Sequence, residues 1–233
     1  MGRTLVMSDI HGMADELFLL LGGIQYKYTE DRLIVLGDYI DRGPCSKDIL
    51  DYFIKLKKIA GEKLVLLRGN HEDLCIKAFH GTSGDKRDAL SLWLYNGGDA
   101  TLKSFGETNL SEYIPFMEKL PVYVEMGGYI FVHGGVNPDM RLSQTDPEDL
   151  LWTRDYAAHI SGKTVVVGHS IKHEVTFIPE ANTLCVDTGA FTGLYGREGR
   201  LSIVDLTNKE VHWISTCSNE APDLVSESLM MWC

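Results

Sequence analysis

An α/β fold is predicted for this chain, and three observations carry the prediction. Its 233 residues suffice for one large domain with a substantial core. The first half repeats an apolar strand, a short glycine-bearing polar turn and a helical stretch three times. From Pro121 onward the pattern changes to short strands punctuated by Gly and Pro.

The first unit has a strand over residues 4–7, a turn over 8–12 and a helix-like period over 13–21. The second has a strand over 33–36, a turn over 37–44 and a helix over 46–60. The third has a strand over 64–67, a turn over 68–72 and a helix to about residue 79. Strands separated by helices of this length form βαβ units and a parallel sheet, whose strand-end polar residues converge on one edge. Residues 81–120 read mainly as a helical insert, broken at Gly97-Gly98 and around Gly106. Strands are then expected over 122–126, 129–132, 165–167, 175–178, 184–186, 201–204 and 211–214, with few helices. No linker divides the chain, so 1–217 reads as one domain and 218–233 as a docked or frayed tail.

Composition narrows the function classes. Hydrophobic residues at 44% and charged residues at 24% match the ordinary globular mix. No apolar stretch reaches the roughly 18 residues of a membrane span, and the segment before Asp9 is too short for a signal peptide, so a cytoplasmic protein is expected. The five cysteines are odd in number, irregularly spaced and without a CxxC pair, which reads as free thiols in a reducing compartment. A net charge of −11 without a visible basic patch argues against a nucleic-acid partner. Carboxylates gathered for divalent cations contribute to that charge, alongside solvated surface.

Each turn places a polar constellation after a strand. In order these are Asp9-x-His11, Gly37-Asp38 through Asp41-Arg42-Gly43, Arg68-Gly69-Asn70-His71-Glu72, His133-Gly134-Gly135 and Gly168-His169-Ser170. A lone Asp or His at a strand end is ordinarily a cap or a surface group. Five such sites at five junctions make a different pattern. Together they offer carboxylate, imidazole and amide donors and no thiolate, a set suited to Mn²⁺, Fe or Zn²⁺ with open positions for water. Asp38 ends the middle of three strands, where a carboxylate can bridge two cations. Two such ions acidify a shared water to hydroxide near neutral pH and hold phosphoryl oxygens. The other histidines, His80, His159, His173 and His212, lie in contexts that read as ordinary.

The motifs SDIHG, GDYIDRG, LRGNHE, VHGG and GHS, in that order, resemble the signature set of the phosphoprotein phosphatase family, within the calcineurin-like metallophosphoesterases. The resemblance spans about residues 4–205, and the short length is nearest the compact bacterial and phage phosphatases. It implies a four-layer fold, with a central β-sandwich of mixed sheets flanked by helices. It also implies two divalent metal ions, Mn²⁺ before Fe or Zn²⁺. Asp9 and His11 would hold the first metal, Asp38 would bridge, and Asn70, His133 and His169 would complete the second. His71 would be the general acid, with Asp41 hydrogen-bonded to it, and Arg42, Arg68 and Arg154 would grip the phosphoryl group. The chemistry of these side chains agrees: histidine supplies protons near neutral pH, and guanidinium suits charge spread over phosphoryl oxygens. Asp187-Thr188-Gly189 resembles a further family turn and reads equally well as a turn only. Ser8, Ile40 and Ser170 depart from the commonest family residues without removing a ligand.

The implied activity is hydrolysis of phosphoesters by in-line attack of a two-metal-activated hydroxide, first on phosphoserine and phosphothreonine in proteins or on small phosphoesters. The alternative is a symmetrical diadenosine tetraphosphate hydrolase or another nucleotide pyrophosphohydrolase, with the 81–120 insert forming part of the substrate wall. A non-catalytic binding module would have lost a ligand or the acid, and here all are present.

Overall fold

The computed structural model describes residues 2–81, 85–217 and 223–229. The βαβ expectation holds: β1 (Thr4–Met7), β2 (Arg32–Val35) and β3 (Leu64–Leu66) pair in parallel, with β2 in the middle. Helices α1 (Ala14–Gly23) and α2 (Ser46–Ala60) form the two crossovers, and α3 (Asn70–His80) follows β3. On the other side of β1, the sheet continues antiparallel through β9 (Arg200–Asp205), β10 (Glu210–Ser215) and β11 (Val225–Ser228). The second sheet has the order β4-β5-β6-β8-β7, from β4 (Tyr123–Met126), β5 (Tyr129–Val132), β6 (Thr164–Val167), β7 (Thr176–Ile178) and β8 (Thr183–Cys185). Its central pairs are parallel and its outer pairs antiparallel, so both sheets are mixed.

Strand alternation builds the layers. Along β1, Leu5 and Met7 face the helices while Val6 faces the second sheet. The same switch separates Leu33 and Val35 from Ile34 in β2, and Val165 and Val167 from Val166 in β6. Both faces of each central strand are thus buried, which is why these strands read as unbroken apolar runs. The inter-sheet core joins Val6, Ile34, Phe131, Val166, Leu184 and Val204. Outside the second sheet, Leu150 of α7 (Pro147–Trp152) covers Val165 and Val167.

The insert forms α4 (Asp85–Trp93), a wide π-type turn at Leu94–Gly98, α5 (Asp99–Phe105) and α6 (Ile114–Glu118). The kink falls at Gly97, whose φ is 100°, as the glycine pair suggests. Two elements exceed the sequence reading. Helix α7 is only six residues long, capped by Asp146 whose carboxylate accepts from the Glu148 N–H, too short for a periodicity signal. Part of the tail docks as β11, which extends the sheet beside β10. The rest of that tail, 218–222 and 230–233, lies outside the described residues.

Candidate metal centre

The turns after β1, β2, β3, β5 and β6 meet at one edge of the sandwich. Asp9, His11, Asp38, Asn70, His71, His133 and His169 are all buried there. The Asp38 carboxylate is their hub. Its Oδ2 lies 3.4 Å from His11 Nε2, 3.5 Å from His133 Nε2 and 3.9 Å from His71 Nε2. Asp38 therefore belongs to two candidate ligand groups at once, one with His11 and His71 and one with His133 and His169. Asp9 joins through its Oδ1, 4.0 Å from His11 Nε2, while its Oδ2 accepts from the His169 N–H (3.0 Å) and the Ser8 hydroxyl.

Backbone carbonyls and one carboxylate fix the imidazoles. His11 Nδ1 donates to Ile40 O (2.8 Å), His133 Nδ1 to Leu36 O (3.0 Å) and His71 Nδ1 to Asp41 Oδ2 (2.7 Å), tautomers assigned from these partners. Each ring is thereby held with its Nε2 near Asp38 Oδ2. Burial holds His11, His133 and His169 below the ordinary imidazole range, His169 at about 2, helped there by His133 and the Arg154 guanidinium. They are neutral, as ligands must be.

The polar atoms left over in the cluster fit cations. His169 Nε2 is buried with no hydrogen-bond partner among the described residues. His133 Nε2 stands 2.7 Å from Asn70 Oδ1, which sets two acceptors against each other. Burial and the charge of neighbouring carboxylates push Asp38 and Asp187 well above the ordinary carboxylate range, and burial also raises Glu72. Such a site prefers positive charge, and the thiolate-free donors suit a divalent transition metal.

The backbone shows that this geometry is imposed. Among the described residues nine non-glycine residues have positive φ, and six of them are Asp9, His11, Asp38, Asp41, Arg42 and His169. Each costs about 1–3 kcal/mol and is held only by its surroundings. Part of the restraint is steric: a Cβ on Gly69 would stand 2.1 Å from Asp38 Oδ1, and one on Gly168 2.3 Å from Asp9 Oδ2. Another part is Glu72, whose carboxylate accepts N–H groups from Asp38, Tyr39 and Gly69, each at 2.9 Å.

The three arginines differ in placement. Arg42 donates to His11 Nε2 and His71 Nε2, both at 2.9 Å, and lies 4.2 Å over the Phe191 ring. Arg154 donates to His169 O at 2.8 Å and to the Ser170 hydroxyl. Arg68 turns to Asp73 Oδ1 (3.4 Å) and to Glu118 O in α6.

Sequence reasoning missed the supports of Asp41. Trp93 Nε1 donates to both of its carboxylate oxygens, at 3.0 and 2.9 Å, and the Thr101 hydroxyl donates to Oδ1 at 2.6 Å. Both come from the insert, and no local signal marks them. Glu72 does carry a signal, the Gly-x-x-Glu spacing of a helix N-terminus. Asp187 is buried, its Oδ1 accepts the Gly189 N–H in a local turn, and burial with the charges of Asp9 and Asp38 raises its carboxyl.

Fold and donor set together describe a metal-dependent hydrolase class. The family described as calcineurin-like phosphoesterase matches residues 2–190, and the chain belongs to that family, the metallophosphoesterases, which are enzymes that use divalent metals. It is 30% identical over 142 residues to a symmetrical bis(5'-nucleosyl)-tetraphosphatase of Psychromonas ingrahamii. That match covers 60% of this chain and 47% of the relative, so the chain spans about half the length of the curated relative it matches. Among solved structures, a candidate diadenosine tetraphosphatase superposes with a TM-score of 0.65 at 17% identity, covering 99% of this chain and 95% of that one. A protein serine/threonine phosphatase from Saccharomyces cerevisiae does so with a TM-score of 0.66 at 18% identity, covering 97% and 79%. At these identities the structural likenesses establish the fold alone.

Proposed function

We propose that this enzyme hydrolyses phosphoesters with two divalent cations held by Asp9, His11, Asp38, Asn70, His133 and His169, Asp38 bridging. The single observation that carries the reading is Asp38 Oδ2 lying between His11 Nε2 on one side and His133 Nε2 on the other. When bound, such an ion pair acidifies water and neutralises phosphoryl charge. The chain's own residues supply the rest. His71, with Nδ1–H committed to Asp41, would as the imidazolium carry on Nε2 the proton that a departing oxygen takes. Arg42 and Arg154 border the cluster and would bind phosphoryl oxygens, while Arg68 would have to leave Asp73 and Glu118 to join them. Mn²⁺ is the first choice of metal, with Fe or Zn²⁺ compatible with the same donors.

Two substrate classes compete. Phosphoserine and phosphothreonine in proteins fit the motif set. Nucleotide tetraphosphates are supported by the curated relative and by a cleft of about 520 Å³ beside Arg42, lined by Tyr95, Phe191, Tyr195 and Arg197. Aromatic rings and a guanidinium suit stacking on a nucleobase and pairing with phosphate. The observation at the cleft favours the dinucleotide. Purified protein with Mn²⁺ is assayed on p-nitrophenyl phosphate, a phosphopeptide and diadenosine tetraphosphate. Inactivity on all three with metals loaded would reject hydrolysis, and turnover of the phosphopeptide alone would reject the dinucleotide reading.

A further inference from the structure

We propose that Asp205, Glu210 and His212 form a separate divalent-cation site, for Zn²⁺ or a similar borderline transition-metal ion, at the opposite edge of the sheet from the metal centre. Asp205 pairs with Leu5 at the start of β1, whereas Asp9 follows the end of that strand. The two locations are therefore separated by the length of β1.

The hairpin between β9 and β10 sets the donors. Asp205 stands directly opposite Glu210 in the register, and His212 is two residues further along β10. Side chains alternate along a strand, so Glu210 and His212 share a face, and Asp205 faces Glu210 on it. Their ligand atoms lie within 4.8 Å of one another. Glu210 Oε2 is 3.6 Å from His212 Nε2. Atoms bound about 2.1 Å from one tetrahedral ion stand about 3.4 Å apart, so the pair is spaced for a shared cation and too long for a direct hydrogen bond.

The independent observation is the imidazole. His212 is 8% exposed, and its Nε2 is buried without a hydrogen-bond partner among the described residues. Its Nδ1 is engaged by the Ser226 hydroxyl of β11 at 2.7 Å. In the tautomer that donates Nδ1–H to Ser226, Nε2 presents a bare lone pair beside the Glu210 and Asp205 carboxylates, an arrangement that a cation satisfies. The Asp205 carboxylate accepts the Thr207 and Asn208 backbone N–H groups at Oδ1 and the Asn208 side-chain amide at Oδ2, which orients it and leaves Oδ2 a further lone pair. Arg3 makes its ion pair with Asp31 at 2.7 Å, and its charge reaches Asp205, Glu210 and His212 only at longer range. One imidazole and two carboxylates, with Glu210 half-exposed at the rim, leave positions for water and an entry path. Through Ser226 an ion there would hold the tail strand β11 against β10.

The full chain is stripped of metal and dialysed against buffered micromolar Zn²⁺, and bound metal per folded chain is counted for wild type, His212→Gln and Glu210→Gln. Wild type is expected to carry one ion more than either variant, with affinity at this site falling about tenfold or more. Equal loading of wild type and both variants overturns the proposal and leaves Nε2 to a water. Glu210 is at the surface, so its variant keeps the test valid if His212→Gln fails to fold. Because only the difference between proteins is read, the outcome does not depend on how many ions the metal centre takes or on whether any substrate is hydrolysed.

Discussion

His71 Nδ1 and Asp41 Oδ2, thirty residues apart in sequence, meet at 2.7 Å in the buried floor of the metal centre. If His71 protonates the leaving oxygen, His71→Asn lowers kcat far more on alkyl phosphates than on p-nitrophenyl phosphate, whose leaving group needs little protonation. Equal losses on both substrates remove His71 from that role.

Asp41 is itself held by Trp93 and Thr101 of the insert. Removing either donor, by Trp93→Phe or Thr101→Val, is expected to lower kcat about tenfold through the orientation of His71 while leaving bound metal unchanged. Steady-state kinetics with metal analysis of the same samples checks this, and a loss of metal in step with activity would contradict it.

Asp38→Asn removes the carboxylate oxygen shared by the two candidate ligand groups. Metal content is expected to fall at both positions and turnover to disappear. Stripping metal from wild type with a chelator should also lower Tm, because buried carboxylates and six positive-φ residues then lose the ions that offset them. A ligand at about 100 times its Kd contributes about 2.7 kcal/mol.

Glu72 accepts four backbone N–H groups, from Asp38, Tyr39, Ile40 and Gly69, and is fully buried. Glu72→Gln replaces one acceptor oxygen by a donor that faces other donors. A loss of at least about 2 kcal/mol is expected in urea unfolding of the metal-free protein. Wild-type stability in this variant would show that the turns do not depend on it.

Asp31 provides the pH prediction. Burial pushes its carboxyl up, but the Arg3 guanidinium and the Arg3 and Lys27 N–H groups outweigh that and bring it from its ordinary 3.8 down to about 2. A group depressed on folding stabilises the protein fully above its unfolded value and ceases to do so as pH falls through the folded one. About 1–2 kcal/mol, allowing for solvent at Arg3, should therefore vanish between pH 4 and 2. Asp31→Asn should lose that amount at pH 7 and show a flatter acid limb in chemical denaturation.

Much of the candidate metal centre was legible because its parts are local. Asp9, Asp38, Asn70, His133 and His169 each follow an apolar strand within a few residues, and a parallel sheet brings strand ends to one edge whatever the helices do. Helix α7 and strand β11 were not legible, since one is too short for periodicity and the other is defined by pairing with β10.

The chain by itself determined the donor set, the order of the βαβ units and the family they resemble, because periodicity and turn chemistry are properties of neighbouring residues. Only the tertiary structure decided that Trp93 and Thr101 support Asp41, that Arg68 turns to Asp73 while Arg42 lies among the imidazoles, and that His212 faces Asp205 and Glu210. Those contacts join segments from different elements, and packing rather than spacing along the chain fixes which polar atoms meet.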